Sequence, residues 1–249
     1  FQAIAVCAET LPTLNVAVIH SGIVGFIEKG KPQGRYYDML HSICERAQLQ
    51  CNFIILPYKR LALSLGDGQV DITILGVPSR LSYNSVKVAP IYNSQIAMLM
   101  RRDNFYSLNT LPKGLSIAAL RGGYDEFFDV YPHTHRVSVN NEKQGVSMLR
   151  AGRVDATLSS LYFLARELED AGDSLEHYAP PIILREVIFH LIYSQASYNP
   201  EIAQRLRMAI VTLLELGELE RIYWRYTQGK KYPGIKFVSP SQMRSQATP

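Results

Sequence analysis

Leu65-Gly66-Asp67-Gly68-Gln69-Val70-Asp71-Ile72-Thr73 and Leu149-Arg150-Ala151-Gly152-Arg153-Val154-Asp155-Ala156-Thr157 read alike, as L-x-x-G-x-V-D-x-T. In each, an apolar-periodic run stops at a Gly, the residue that most readily takes the left-handed turn ending a helix. A short β-branched strand follows at once. The same helix–Gly–strand unit used twice predicts two similar α/β lobes. A cleft between two lobes is where small ligands are most often held. Asp71 and Asp155 read as scaffold, placed to bond turn backbone, because duplication marks the frame rather than the ligand chemistry.

Composition agrees. The chain has 249 residues, 47% hydrophobic and 19% charged, enough apolar matter for one large or two modest domains. No apolar run reaches the ~18–20 residues of a membrane span. The net charge of +4 is mild and the basic residues are scattered, with short pairs at Arg101-Arg102 and Lys230-Lys231. A nucleic-acid footprint needs a denser stripe, so no nucleic-acid partner is expected.

The N-terminal segment 1–8 is apolar and uncharged, and a polar connector follows at Glu9-Thr10-Leu11-Pro12. Val6 and Ala8 suit cleavage after Ala8, so residues 1–10 read as a signal remnant or tail of a secreted, periplasmic protein. Lipidation at Cys7 is the weaker reading, since Val6 is bulky. Without that segment, two cysteines remain of three. Cys44 falls on a predicted helix and Cys51 opens the next strand. A turn can bring them within bonding distance, and a disulfide is expected. No C-x-x-C or H-x-x-x-H pair is present, so no metal and no cofactor are expected. His133 and His135, beside Pro132, read as loop.

Further strands are expected at 14–19, 51–56, 70–75, 95–100, 115–120, 156–158 and 187–193. Helices are expected at 37–47, 60–65, 124–130, 142–150, 161–168, 200–216 and 219–226. Asn199-Pro200 supplies a cap with Pro at the first helical position. The β-α-β-α-β order of the first third implies a parallel sheet covered by helices. The expected organisation is 11–97 with 190–228 as lobe one and 98–189 as lobe two. Residues 229–249, rich in Pro, Gly, Ser and Gln, read as a loose C-terminal extension.

Gly34-x-x-x-Asp38-Met39-Leu40, Gly68-x-Val70-Asp71, Val77-Pro78-Ser79-Arg80 and Gly122-Gly123-Tyr124-Asp125-Glu126 occur in this order. Gly152-x-Val154-Asp155-Ala156 and Gly217-x-Leu219-x-x-Ile222-Tyr223-x-x-Tyr226 complete the series. In that order the chain resembles the periplasmic solute-binding proteins of family 3, the amino-acid type serving ABC transporters. The resemblance covers roughly 14–226. It implies a type II periplasmic-binding fold, a two-lobed α/β clamshell with a mostly parallel sheet in each lobe, and a monomer that meets a membrane ABC permease.

The site follows residue by residue. Arg80, just after a strand end, matches the arginine that holds a ligand carboxylate in such proteins, a task suited to the guanidinium fork. Tyr58 matches a stacking aromatic, and Phe26 is a looser wall candidate. Gly76 and Val77 present backbone groups from lobe one, and Gly123 and Tyr124 from lobe two, where glycine lets backbone approach an anion. Lys59 and Arg60 read equally as cleft charges or as a solvated helix start. Amino-acid binders place an Asp about five residues after the second G-x-V-D, against the ligand's ammonium. Here Ser160 stands there, and a hydroxyl cannot neutralise a buried cation. Either Asp125 or Glu126 supplies that charge, or the ligand lacks an α-ammonium.

The expected function is capture of a small polar solute, an amino acid or related carboxylate, for an ABC importer. No nucleophile elbow, phosphate loop or paired-acid motif is evident, so no catalytic residue is assigned. The alternatives are a soluble ligand sensor on the same fold and a cyclohexadienyl-dehydratase-like lyase using Glu126 or His20.

Overall fold

The computed structural model describes residues 12–76 and 84–241. Val77, Pro78, Ser79 and Arg80 lie outside the described residues, as do Cys7 and the rest of segment 1–11.

The chain opens with β1 (Thr13–Ile19), whose β-branched residues are buried in its second half. A hairpin of β2 (Phe26–Glu28) and β3 (Lys31–Gln33) follows. Helix α1 (Arg35–Arg46) buries Tyr36, Met39, Leu40, Ile43 and Cys44, the spacing of one apolar face. Then come β4 (Gln50–Leu56), α2 (Tyr58–Gly66) and β5 (Ile72–Gly76). Cys44 of α1 and Cys51 of β4 are joined in a disulfide, with Cα atoms 6.4 Å apart.

Strand β6 (Ser85–Met100) leads into the middle of the chain. There stand β7 (Ser116–Leu120), α3 (Asp125–Val130), β8 (His135–Val139), α4 (Glu142–Arg150), β9 (Ala156–Ser160) and α5 (Leu161–Asp170). Asn141 caps α4 by accepting from the Gln144 amide. Strand β10 (Ile182–Ser194) returns, and α6 (Pro200–Glu215), α7 (Glu218–Arg225) and β11 (Ile235–Phe237) end the described chain. Asn199 caps α6, with Pro200 at its start. Among the described residues no helix is long and apolar enough to cross a membrane.

The main sheet runs β4-β1-β5-β10-β6-β9-β7-β8, with β11 beside β6. Two parallel trios, β4-β1-β5 and β9-β7-β8, stand at its ends. Between them lie β10 and β6, antiparallel along their length from Ile182↔Met98 to Ser194↔Ser85. Strand β10 bonds β5 through 189–193, and β6 bonds β9 through 96–100. Each long strand therefore begins in one lobe and ends in the other. The fold is the two-lobed α/β clamshell, and these strands are its hinge.

Three expectations need correction. The strand expected at 95–100 begins at Ser85; Pro90 interrupts the sequence pattern, and the register shifts beside it, between Phe189 and His190. His135 is not in a loop but opens β8, parallel to β7. The segment from 229 is not loose throughout. Strand β11 pairs Ile235 with Ser94 and Phe237 with Tyr92, and Gly234 accepts from the Gln95 amide.

Candidate functional site

The strand ends decide where the site lies. Ile19 ends β1, Gly76 ends β5, Leu120 ends β7 and Ser160 ends β9. All four line one cavity of about 850 Å³, its open mouth included. Ligands of open α/β sheets sit at the carboxyl ends of the strands, and here the ends of both trios meet. Tyr92, Ser94 and Ile96 of β6 and Arg185, Val187 and Phe189 of β10 complete the wall along the hinge.

Of the residues singled out in the sequence, Tyr58, Gly76, Gly123, Tyr124 and Ser160 line this cavity. A Cβ at Gly76 would fall 2.5 Å from Cγ1 of Val187, so any larger residue there must displace that side chain. Tyr58, the first residue of α2, is half-buried. Burial, then the nearby Asp125 and Glu126, pushes its phenol up to about 12. Burial first and the Glu142 carboxylate second raise the Tyr124 phenol too. Both hydroxyls are therefore neutral at physiological pH and able to donate or accept. Ser160, 6% exposed, spends an Oγ lone pair on the Phe163 amide at 3.3 Å, capping α5.

Other expectations fare differently. Phe26 does not line the cavity, because it is held in the β2–β3 hairpin opposite Gln33. Lys59, Arg60 and His20 are exposed and lie outside the lining. Asp125 accepts from Arg136 Nη1 at 2.6 Å, and Glu126 pairs with Arg185 Nη1 at 2.5 Å. Neither carboxylate lines the cavity. Asp71 and Asp155 bond backbone amides of strands β1 and β7 rather than of turns.

Most of the other described lining residues escaped the sequence reading, Glu142 and Arg35 among them. Glu142 opens α4, enters the cavity wall, and accepts a hydrogen bond from Ser21 Oγ of the other lobe. It is the carboxylate among the described lining residues. Arg35 is 0% exposed, and its Nε and Nη1 have no hydrogen-bond partner. Four rings surround its guanidinium: Tyr223 at 4.0 Å, Tyr162 at 4.4 Å, Phe163 at 5.2 Å and Tyr36 at 5.7 Å. Cation–π attraction favours the charge but gives those N–H groups no acceptor. One signal existed in the sequence. Arg35 stands four residues before Met39, so it shares the apolar face of α1.

The aromatic floor is continuous. Tyr92 stacks on Phe189, with centroids 4.7 Å apart at 8°. The hydroxyls of Tyr36 and Tyr92 are hydrogen-bonded to each other. Tyr162 of α5 meets Tyr223 and Trp224 of α7, joining the two lobes beside Arg35. Among the described residues, the cavity offers ring faces, the buried Arg35, the paired Arg185 and the Glu142 carboxylate.

The chain matches the family model of bacterial extracellular solute-binding proteins, family 3, over residues 19–229. A search of curated proteins finds no match. Among solved structures, it is similar to a histidine kinase sensor domain with similarity to periplasmic binding proteins. The TM-score is 0.72 at 18% identity, covering 91% of this chain and 98% of that one. It is also similar to the GluR0 ligand-binding core from Nostoc punctiforme in complex with L-glutamate, with TM-score 0.71, 19% identity and coverage of 86% and 98%. The substrate binding protein of an amino acid ABC transporter matches at TM-score 0.68 and 16% identity, with coverage of 87% and 99%. At these identities the structural likenesses speak for the fold. The sequence match spans most of the chain, and on that ground the chain belongs to the bacterial extracellular solute-binding proteins, family 3.

Proposed function

We propose that this protein captures a small carboxylate-bearing solute between its lobes, in the periplasm, and delivers it as a monomer to a membrane ABC permease. The observation that carries the reading is the single cavity on which the strand ends of both lobes converge. A ligand seated there touches both lobes and favours their closed arrangement, which is how binding is transmitted to a partner. Arg80, four residues beyond the end of β5, is the expected carboxylate anchor. Tyr58 is the expected wall, and Gly76, Val77, Gly123 and Tyr124 the backbone donors and acceptors. Glu142 takes the place of the missing Asp for a ligand that carries an ammonium.

A thermal-shift screen with α-amino acids and their des-amino analogues tests this. A ligand at about 100 times its Kd adds roughly 2.7 kcal/mol of stability, readily seen as a rise in Tm. Arg80→Ala is expected to abolish the shift, a loss of about 2–5 kcal/mol. Glu142→Gln is expected to remove the response to amino acids and spare that to des-amino acids. A screen in which no solute shifts the protein sinks the reading.

The likeness to a kinase sensor domain favours a second reading, a ligand sensor on the same cleft. Ligand-dependent binding to a purified permease supports the importer. Binding to no permease, with an unchanged thermal shift, supports the sensor. The lyase alternative has less support, because Glu126 is paired with Arg185 and neither it nor His20 lines the cavity.

A further inference from the structure

Two cations stand among the described lining residues, Arg35 and Arg185, and Arg35 forms no ion pair with a described residue. Arg185, the other, is paired with Glu126 and keeps 43% of its side chain exposed to water. Arg35 is 0% exposed, and its guanidinium is enclosed by rings. No carboxylate of a described residue forms an ion pair with it, and two of its donor nitrogens are unsatisfied. A buried ion without hydrogen-bond acceptors is among the most unfavourable arrangements in a protein interior. Such a group persists where a ligand supplies what the protein withholds. Arg35 belongs to the lining of the binding cavity, so a ligand that shifts the rings beside it meets the guanidinium.

The surroundings define the ligand. Tyr36, Tyr92, Phe163, Phe189 and Tyr223 wall the cavity around Arg35 with ring faces. The phenols of Tyr36 and Tyr92 are engaged with each other rather than turned to a solute. Ring faces recognise flat or apolar bodies, and the guanidinium recognises an oxyanion with oriented N–H groups.

We infer that Arg35 anchors an anionic group of the ligand, and that the solute is an organic acid with a flat or apolar body rather than a small hydrophilic amino acid. This rests on the solute-binding reading and narrows its substrate class. It assigns Arg35 a role independent of Arg80, which follows β5 in the sequence.

The test is a melting experiment on the full chain in chloride-poor buffer. Benzoate, phenylacetate and hexanoate are each set against the corresponding amide, which matches the acid in shape and lacks its charge. Acids are expected to raise the wild-type Tm and amides to leave it. Arg35→Met exchanges a buried ion for an apolar chain of similar length, a change that is neutral or stabilising where the ion is uncompensated. It is expected to melt no lower than wild type without acid, and to bind the acids on the order of a hundredfold more weakly.

An Arg35→Met protein that melts lower and keeps the acid response overturns the inference; Arg35 is then a cation–π brace between α1, α5 and α7. Equal wild-type responses to acids and amides also overturn it, and that comparison needs no variant to fold. Both results leave the solute-binding reading intact. A wild type that responds to α-amino acids and to none of these acids overturns the Arg35 assignment alone. Silence toward the acids, the amides and the amino acids removes both.

Discussion

The joint at Asp71 and the joint at Asp155 carry out one task with different thoroughness. Each Asp donates its own amide to a strand carbonyl and accepts that strand residue's amide on its carboxylate. Asp71 does this with Asn15, at 2.8 and 2.6 Å. Asp155 does it with Ser116, at 2.9 and 2.8 Å. The second joint adds the Ser116 hydroxyl at 2.6 Å and the Asn104 amide at 2.9 Å. Downstream the two units part. Strand β5 ends at Gly76, where bare backbone meets the cleft, and β9 ends at Ser160, which turns at once to cap α5. The halves that hold strands together are repeated, and the halves that face the ligand are not. On the proposed function, specificity is set where the repeat stops.

That comparison can be broken by mutation. Asp155→Ala removes three acceptor bonds and is expected to cost about 3 kcal/mol, against about 1.5 kcal/mol for Asp71→Ala, as read from urea unfolding. Equal losses would show that the extra partners of Asp155 contribute nothing. At the glycines, both sites take a positive φ, +74° at Gly68 and +67° at Gly152. A Cβ at Gly68 would meet the Ala196 Cβ at 2.8 Å, whereas at Gly152 it meets the movable end of Arg101 at 2.9 Å. Gly68→Ala is therefore expected to cost about 2 kcal/mol and Gly152→Ala about 1 kcal/mol. Reversed order would mean that Ala196 yields more easily than Arg101.

The smallest effect is in pH. Burial pushes the Asp155 carboxyl up, but the bonds from Ser116 and Asn104 and the charge of Arg101 outweigh it and hold it below its usual value. A depressed folded pKa stabilises the protein fully above the unfolded value of about 3.9. That contribution is lost as pH falls through the folded value. Asp155→Asn should flatten the acid limb of a Tm-versus-pH curve below about pH 4. An unchanged limb means the acid sensitivity resides in other groups, such as Asp173, whose carboxyl is held low chiefly by the His177 hydrogen bond.

Local signals carried most of the frame. Gly68 and Gly152 marked helix ends because their left-handed turns depend on nothing distant. Asn199-Pro200 marked the start of α6 for the same reason. Failures came where partners lie far away. Pro90 hid the first half of β6, since its tolerance there depends on the irregular register with β10. Strand β11 exists because β6 has an edge to offer at 92–94, which its own composition does not announce. As cavity-lining residues, Tyr58, Gly123 and Tyr124 were legible from short motifs. Arg35 was not, because its burial is made by Tyr162 and Tyr223, each on a helix remote in the chain. Phe26 falls outside the cavity lining, because a ring beside a turn resembles a wall until the hairpin is seen.

The pairing of β10 with β5 has a consequence for how the molecule is assembled. Ile72, Thr73, Ile74 and Leu75 are all buried, and β10 covers one backbone edge of their strand. During synthesis β5 emerges with β1 beside it, long before β10 leaves the ribosome. For that interval an apolar edge stands open, the arrangement most prone to pair with another chain. The middle segment from β7 to α5 has its parallel partners close at hand and can collapse on its own contacts meanwhile. Light scattering during refolding should therefore rise early and fall as β10 docks, and a nascent chain stalled before β10 is the species that a chaperone must shelter.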